Sequence, residues 1–202
     1  NTITGGQPMT NQPVQGGVCS HRHAFFLDNI IRGWLQNPRR IVGEYVSKGD
    51  VVIDMGCGPG FFSVAMAGMV GREGRVFCVD LQPEMLDKTM AKARRKNVSD
   101  QVRVHRCLED RIGLDESVGA DFILAYYMVH ELPDQAAFFD EVRSLLKPDG
   151  RFLVVEPKFH VSRGAFDLTC RTAQTHGFVV SGSPSGKGGH SLLLTLPKSS
   201  EL

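Results

Sequence analysis

Long apolar runs are absent from this sequence. No uninterrupted apolar segment of the 202-residue chain approaches the roughly 20 residues that a membrane-spanning helix requires. The first residues also lack the charged-then-apolar order of a signal peptide. We therefore expect a protein that does not interact with a membrane and that resides in the cytoplasm.

The sequence also lacks an excess of charge of either sign. Lys and Arg total 23 against 22 Asp and Glu, which leaves a formal net charge of +1. A nucleic-acid-binding protein normally carries a basic face or stripe. The basic cluster that is present falls at the end of a predicted helix, where cations complement the helix dipole; it comprises Lys88, Lys92, Arg94, Arg95 and Lys96. The charge pattern predicts a small-molecule substrate and no nucleic-acid partner, and it leaves the oligomeric state open.

Cysteines in metal-binding or disulfide patterns are absent as well. The five cysteines are scattered and show no C-x-x-C spacing: Cys19, Cys57, Cys78, Cys107 and Cys170. This favours reduced thiols over a disulfide framework. The C-x-H-x-H segment Cys19–His23 matches no tetrahedral site and has no evident fourth ligand. We predict no metal; the segment is interpreted as an ordinary linker, with a lid over the active site as the alternative.

The elements that are present alternate between strand and helix. Apolar runs and period-two patterns predict seven strands, namely Asp50–Met55, Arg75–Asp80, Gln101–Cys107, Ala120–Tyr127, Arg151–Glu156, Phe178–Ser181 and Ser191–Leu196. Helical spacing and stop signals predict six helices, namely Ala24–Leu35, Pro38–Val46, Phe61–Val70, Pro83–Lys96, a helix capped by Asp134 that ends before a Lys147–Gly150 turn, and Ser162–His176. A Gly/Ser-rich loop, Gly182–Gly189, separates the last two strands.

This order predicts an α/β fold with a doubly wound, Rossmann-like sheet of seven strands. Five successive β-α units require a mostly parallel sheet. The last two strands lie too close for a crossover helix, so one strand near the C-terminus should run antiparallel. We expect a flexible tail over residues 1–18 and a single domain over residues 19–202. Within that domain, residues 19–47 form lid helices and residues 48–202 form the core.

The strongest chemical signal is the segment Val51–Ser63, VVIDMGCGPGFFS. An apolar strand ends in Asp54, and Gly56, Gly58 and Gly60 follow before a helix. Glycines allow a tight turn and a close ligand approach, and a carboxylate suits an ammonium group. The G-x-G-x-G spacing differs from the dinucleotide fingerprint G-x-G-x-x-G. It therefore favours an amino-acid-bearing nucleoside and disfavours a nicotinamide-dependent oxidoreductase, the rival on the same fold.

A second acid supports this interpretation. Asp80 ends the next predicted strand, 20 residues after Gly60, where an acid can accept hydrogen bonds from both ribose hydroxyls. The alternative is that Asp80 caps the helix that opens at Pro83, although Gln82 is closer to that position.

Five segments together resemble the class I S-adenosylmethionine-dependent methyltransferases, particularly small members of the ubiquinone/menaquinone-biosynthesis type. They run in family order over about residues 48–157 and read IDMGCGPGFFS, FCVDLQPEMLD, CLED, ADFILAYYMVHEL and LLKPDGRFLVVEP. The resemblance implies S-adenosylmethionine as the cofactor, with S-adenosylhomocysteine as the product.

The resemblance also assigns roles to individual residues. It places Asp54, Gly56, Cys57 and Gly58 around the methionine moiety, Asp80 on the ribose, Leu81 beside the adenine, Leu108 and Glu109 at the adenine edge, and Ala125 and Tyr126 near the sulfonium. Many relatives have Asp where this sequence has Leu108, so either Glu109 or a backbone group takes over that contact.

His130 follows the fourth predicted strand and is the best-placed general base, if the methyl acceptor arrives protonated. The equal alternative is a histidine that holds the following loop. Glu131 and Tyr127 share the site and are candidates to orient a substrate, although Tyr127 fits the core equally well. Glu156 and His160 follow the fifth strand on the same side of the sheet.

We therefore expect methyl transfer to a small molecule by in-line displacement, with the acceptor atom undetermined. One alternative is a protein or nucleic-acid methyltransferase. The segment Ala125–Met128 reads AYYM and lacks the Asn/Asp-Pro-Pro-aromatic motif that amino-methylating nucleic-acid enzymes share. The other alternative is a protein that binds S-adenosylmethionine without catalysis.

Overall fold

The computed structural model describes residues 37–198. The predicted tail 1–18, the predicted helix Ala24–Leu35 and the Cys19–His23 segment lie outside the described residues.

Seven strands form one sheet with the order β3-β2-β1-β4-β5-β7-β6. Their bounds are Val51–Met55 (β1), Arg75–Asp80 (β2), Val102–Arg106 (β3), Ala120–Tyr126 (β4), Leu146–Glu156 (β5), Val179–Gly182 (β6) and His190–Thr195 (β7). Strands β1 to β5 pair in parallel, and β7 runs antiparallel to both β5 and β6. The predicted doubly wound sheet with one antiparallel strand near the C-terminus is confirmed.

Five α-helices cover the two faces of the sheet within residues 37–198. Their bounds are Pro38–Val42 (α1), Phe61–Val70 (α2), Pro83–Arg95 (α3), Gln135–Leu145 (α4) and Arg163–Thr175 (α5). Buried side chains of α1, α2 and α3 share one core cluster with Val52 of β1. Those of α4 and α5 share the other cluster with Ile53 of β1. Neighbouring residues of a strand point to opposite faces, so both faces of β1 are buried.

The predicted second helix is too long. It ends at Val42 rather than Val46, because the following residues turn inward instead of continuing the helix. Tyr45 and Val46 are both buried, and the Tyr45 ring stacks on Phe122 of β4 with centroids 5.4 Å apart. Tertiary packing therefore overrides the local helical spacing.

The predicted turn at Lys147–Gly150 is also wrong, because these residues lie within strand β5. Strand β5 begins at Leu146, which pairs with Ala120, and the register then shifts so that Phe122 pairs with Arg151. The four residues between form an irregular bulge inside the strand. Leu146 is buried, and burial of this side chain holds the strand before the bulge.

Helix starts follow the sequence closely. Asp134 accepts a hydrogen bond from the Ala137 N–H at 3.0 Å, and Ser162 accepts one from the Ala165 N–H at 3.2 Å. Both side chains cap the first turn of a helix. Strand order reverses between β1 and β4, so the edge where these strands end is the topological switch point, where ligands of such sheets bind.

Candidate active site

Asp54, in β1 next to the strand's carboxyl end, is a buried carboxyl group. Its side chain faces α2, where the Ser63 hydroxyl donates a hydrogen bond to Asp54 Oδ2. Only 2% of Asp54 is exposed. Burial raises the pKa of Asp54 to about 7, against the lowering effect of the Ser63 hydrogen bond. A cationic group bound beside Asp54 would favour its ionised form.

The turn from β1 to α2 requires its glycines. Gly56, Gly58 and Gly60 have φ values of 65°, 53° and 74°, in the left-handed region that glycine adopts at no steric cost. A Cβ on Gly60 would also lie 2.7 Å from Thr89 Oγ1 of α3. The Thr89 hydroxyl donates to the Gly58 carbonyl at 2.8 Å, so helix α3 holds the glycine turn.

Cys57 contributes its backbone to this turn rather than its thiol. The Cys57 N–H donates to the Val79 carbonyl at 2.9 Å, and only 7% of the residue is exposed. A hydrogen bond with Cys78 and burial raise the pKa of the Cys57 thiol. The thiol therefore stays protonated and belongs to the core.

Asp80, at the carboxyl end of β2, connects the glycine turn to the next strand. Its Oδ2 accepts the Gly58 N–H at 2.9 Å, and its Oδ1 accepts the Gln82 N–H at 2.9 Å. The Gln82 side chain makes no capping bond with α3, so Asp80 serves part of the role expected of Gln82. Each carboxylate oxygen has two lone pairs. The carboxylate can therefore accept a ribose hydroxyl in addition to the backbone N–H groups.

Apolar side chains are exposed after β2 and β3. Leu81 is 39% exposed and Leu108 is 53% exposed, and Glu109 beside it is exposed too. The Leu108 N–H donates to the Arg111 carbonyl at 2.9 Å. The exposed side chains of Leu81 and Leu108 offer apolar surface against which a nucleobase ring can pack.

The end of β4 carries two stacked tyrosines. The Tyr126 and Tyr127 rings have centroids 4.2 Å apart, while Ala125 before them is fully buried in the core. Tyr127 has φ 62°, an unusual backbone conformation for a bulky residue, and such strain is concentrated at functional sites. The Tyr127 hydroxyl donates to the Gly188 carbonyl at 2.7 Å. Its hydroxyl is thus engaged in the fold, and the residue is buried in one of the two core clusters, as the core alternative for Tyr127 has it.

His130 and Glu156 form a hydrogen-bonded pair at the same edge of the sheet. His130 lies in a short 3-10 turn, Val129–Glu131, after β4, and Glu156 ends β5. Glu156 Oε1 accepts the Val129 N–H at 2.9 Å, and its Oε2 bonds His130 Nδ1. Burial lowers the pKa of His130, but the hydrogen bond and the charges of Glu156 and Glu131 outweigh burial and raise it.

The sequence matches the family described as a methyltransferase domain over residues 46–179. The chain belongs to this family. A crystal structure of an S-adenosylmethionine-dependent methyltransferase from Aquifex aeolicus has the same fold, with a TM-score of 0.70, 24% identity, and coverage of 86% of this chain and 95% of that one.

Two curated relatives are similar to this methyltransferase domain. A demethylmenaquinone methyltransferase of Lactobacillus johnsonii is 30% identical over 114 residues, 55% of this chain and 45% of its own length. A ubiquinone biosynthesis O-methyltransferase of Xylella fastidiosa is 33% identical over 124 residues, 58% of this chain and 47% of its own length. The chain thus spans about half the length of these relatives.

These comparisons confirm the predicted class I methyltransferase family, its fold and S-adenosylmethionine as its cofactor. The side chains of this methyltransferase domain fit that cofactor. Asp54 provides a buried carboxylate for an ammonium group, Asp80 provides two acceptor oxygens for ribose hydroxyls, and Leu81 and Leu108 provide apolar surface for a base. The roles of the individual residues remain predictions.

Two more rings lie beside the predicted catalytic residues. The His130 and His160 rings have centroids 5.1 Å apart. Phe159 is 54% exposed, and its ring meets Tyr127 edge-on at 6.5 Å. Glu131 Oε1 lies 4.0 Å from His130 Nε2. The structure thus brings the three predicted catalytic residues, His130, Tyr127 and Glu131, to one side of the switch point.

Sequence reasoning missed that Glu156 bonds His130 and that Lys187 is buried. The rule that identified Asp54 and Asp80, an acid that ends or nearly ends an apolar strand, also applies to Glu156 and could have found it as the partner of His130. Lys187 lies in a Gly/Ser-rich loop, where nothing in the pattern indicates burial.

Among residues 37–198, no group of three or more His, Cys, Asp or Glu side chains could hold a metal ion. No helix in the same range is long and apolar enough to cross a membrane.

Proposed function

We propose that this protein transfers the methyl group of S-adenosylmethionine to a protonated oxygen, nitrogen or sulfur atom of a small molecule. The observation that carries the proposal is the His130–Glu156 pair. This pair lies on the same edge of the sheet as Asp54 and Asp80. Strand β1, which carries Asp54, is the neighbour of β4, which precedes His130.

His130 is the general base in this proposal. A carboxylate can only accept a hydrogen bond, so Nδ1–H of His130 donates to Glu156 Oε2, and the lone pair of the neutral imidazole lies on Nε2. Nε2 is buried in the structure, so the proposal requires a bound acceptor to reach it; Nε2 then removes the proton of the acceptor as the acceptor atom attacks. Glu156 stabilises the imidazolium that forms, and the raised pKa of His130 makes it a stronger base than an ordinary histidine.

Asp54, Asp80 and the glycine turn hold the cofactor. When bound, S-adenosylmethionine supplies a methyl group on a positively charged sulfur, which is already a good leaving group. The protein then has to align the acceptor and exclude water. The Tyr126, Tyr127 and Phe159 rings provide apolar surface for both tasks.

The net charge of the chain and the names of its relatives both support a small acceptor. The near balance of 23 basic and 22 acidic residues provides little attraction for a polyanion. The relatives described above are named for methylation in menaquinone and ubiquinone biosynthesis. Those names support a small organic acceptor here, and they leave its identity to experiment.

The first test is calorimetric titration with S-adenosylmethionine, S-adenosylhomocysteine and NADH. We expect micromolar binding of the two sulfur nucleosides and none of NADH. Asp80→Ala should weaken binding of S-adenosylhomocysteine by about 1–3 kcal/mol, because ribose acceptors are lost. No binding of either nucleoside to the native protein would refute the proposal.

The second test is methyl transfer from labelled S-adenosylmethionine to panels of phenols, thiols and amines, with transfer RNA and a protein mixture beside them. Transfer to a small molecule that His130→Ala slows far more than it weakens cofactor binding would support the proposal. Transfer only to RNA or protein would overturn the small-molecule assignment. Binding without transfer to any acceptor would favour a non-catalytic role.

A further inference from the structure

The loop over residues 183–189, between β6 and β7, contacts the candidate active site through its backbone. The Tyr126 hydroxyl donates to the Lys187 carbonyl at 3.2 Å, and the Tyr127 hydroxyl donates to the Gly188 carbonyl at 2.7 Å. A Cβ on Gly189 would lie 2.1 Å from the Glu156 carbonyl oxygen, so the two backbones pack directly. The loop therefore contacts the ends of both β4 and β5.

Lys187 of this loop is buried, with only 5% of the residue exposed. Lysine is almost never fully buried without a partner. Here Nζ forms an ion pair with Glu44, donates to the Arg40 carbonyl at 3.2 Å, and lies 5.0 Å from the centroid of the Tyr45 ring. All three partners belong to one short segment, residues 40–45.

That segment is itself anchored to the sheet. The Tyr45 ring stacks on Phe122 of β4, and Arg151 of β5 donates to the Tyr45 carbonyl at 3.1 Å. Only the Lys187 end of this ion pair is buried, since the Glu44 side chain is 60% exposed, and loss of Glu44 would leave a buried ammonium with less compensation. The ammonium of Lys187 therefore ties a glycine-rich loop to a fixed part of the fold.

We propose that Lys187 is a positioning residue, which holds the loop carbonyls that orient the Tyr126 and Tyr127 rings beside the proposed S-adenosylmethionine site. Without this tie, the Gly/Ser-rich loop would sample many backbone conformations, and the two hydroxyls would lose their fixed acceptors. The proposal rests on the proposed function, because it takes Tyr126 to border the S-adenosylmethionine site.

The test is calorimetric binding of S-adenosylhomocysteine to the full chain and its variants. Lys187→Met should weaken binding at least about tenfold, because the tyrosines lose their fixed orientation. Lys187→Arg keeps the charge and several donors, and it should restore the affinity to within about threefold of the native protein.

Lys147→Met is the control for loss of a lysine ion pair away from the candidate site. Lys147 pairs with Asp121 at 2.7 Å, near the opposite, amino-terminal edge of the sheet. Because these side chains are 45% and 30% exposed, this variant should lower the melting temperature only slightly, without a change in affinity for S-adenosylhomocysteine. If Lys187→Met does not fold, Glu44→Gln tests the same tie from its exposed side, since the Glu44 side chain is 60% exposed. We expect a loss of affinity there too, of about threefold.

The outcomes separate this proposal from the proposed function. A native protein that does not bind S-adenosylhomocysteine would refute the cofactor assignment itself. Native binding together with unchanged affinity in Lys187→Met, or in Glu44→Gln where the former does not fold, would overturn the positioning role alone. An equal loss of affinity in Lys187→Met and Lys147→Met would also overturn it, because general destabilisation would then explain both.

Discussion

At the scale of single residues, Asp54 is a carboxyl group whose ionisation opposes folding. Burial raises its pKa from an ordinary value of 3.8 to about 7. The folded protein therefore binds this proton more tightly than the unfolded chain does, and the free energy of unfolding falls as pH rises from about 4 to about 7. A buried acid that costs stability at neutral pH is typical of a group kept for its ligand.

We predict that affinity for S-adenosylhomocysteine increases as pH rises through about 7. An ammonium group on the ligand pairs with the ionised form of Asp54, which becomes populated above its pKa. Calorimetric titrations at several values between about pH 5.5 and pH 8 would measure this dependence. Asp54→Asn removes the titrating group and should flatten it. A native protein with the same affinity over the whole range would contradict the Asp54 assignment.

His130 and Glu156 give a second prediction at this scale. The pKa of His130 is raised because the bond and charge of Glu156, with the charge of Glu131, outweigh burial. Glu156→Gln removes a bonded charge and should lower the pKa of His130, as measured by titration of the imidazole proton resonances. Glu131→Gln is the control, since Glu131 lies 4.0 Å away and is 41% exposed, so solvent screens its effect.

If the pKa of His130 fell equally in the two variants, the hydrogen bond from His130 to Glu156 would contribute no more to that pKa than the charge of Glu131 does. With an acceptor identified, the same substitution should also move the basic form of His130 to lower pH and reduce turnover. The reason is that an uncharged amide stabilises the imidazolium less well than a carboxylate does.

At the scale of elements, the turn between β1 and α2 is held by packing against α3. Gly60→Ala introduces a Cβ at φ 74° that would lie 2.7 Å from Thr89 Oγ1. Gly119→Ala is a matched control, because Gly119 is also left-handed, with φ 53° and ψ 81°, and its Cβ would make only an ordinary contact, 3.7 Å from Lys147 Cε. Both variants carry the backbone strain, about 1–2 kcal/mol, and Gly60→Ala alone adds a clash.

Urea unfolding should therefore show a larger loss of stability for Gly60→Ala than for Gly119→Ala. Only Gly60→Ala should also weaken S-adenosylhomocysteine binding, because Thr89 donates to the Gly58 carbonyl in the same turn. Equal losses of stability in the two variants would mean that Thr89 moves aside and that strain alone is measured.

Elements also show where local sequence rules stop. Asp134 and Ser162 cap their helices, because a cap depends on residues three positions apart. The predicted Lys147–Gly150 turn, by contrast, lies inside β5. Pairing of Leu146 with Ala120 of β4 continues the strand through a sequence that would end it in isolation.

At the scale of the whole molecule, a ligand that binds the folded state raises the free energy of unfolding. S-adenosylhomocysteine at about 100 times its Kd should stabilise the protein by about 2.7 kcal/mol, seen as a rise in melting temperature. NADH at the same concentration should leave the melting temperature unchanged. A comparable rise with NADH would contradict the preference for a sulfur nucleoside over a dinucleotide.

The sequence by itself determined the strand order along the chain, the parallel sheet and the acids near the ends of β1 and β2. These depend on hydrophobic periodicity, on the handedness of crossovers and on glycine spacing, all of which are local in the chain. Only the tertiary structure decided that Glu156 pairs with His130 and that Lys187 reaches Glu44. These partners lie 26 and 143 positions apart, and the pairing of distant side chains is set by how strands and loops pack together.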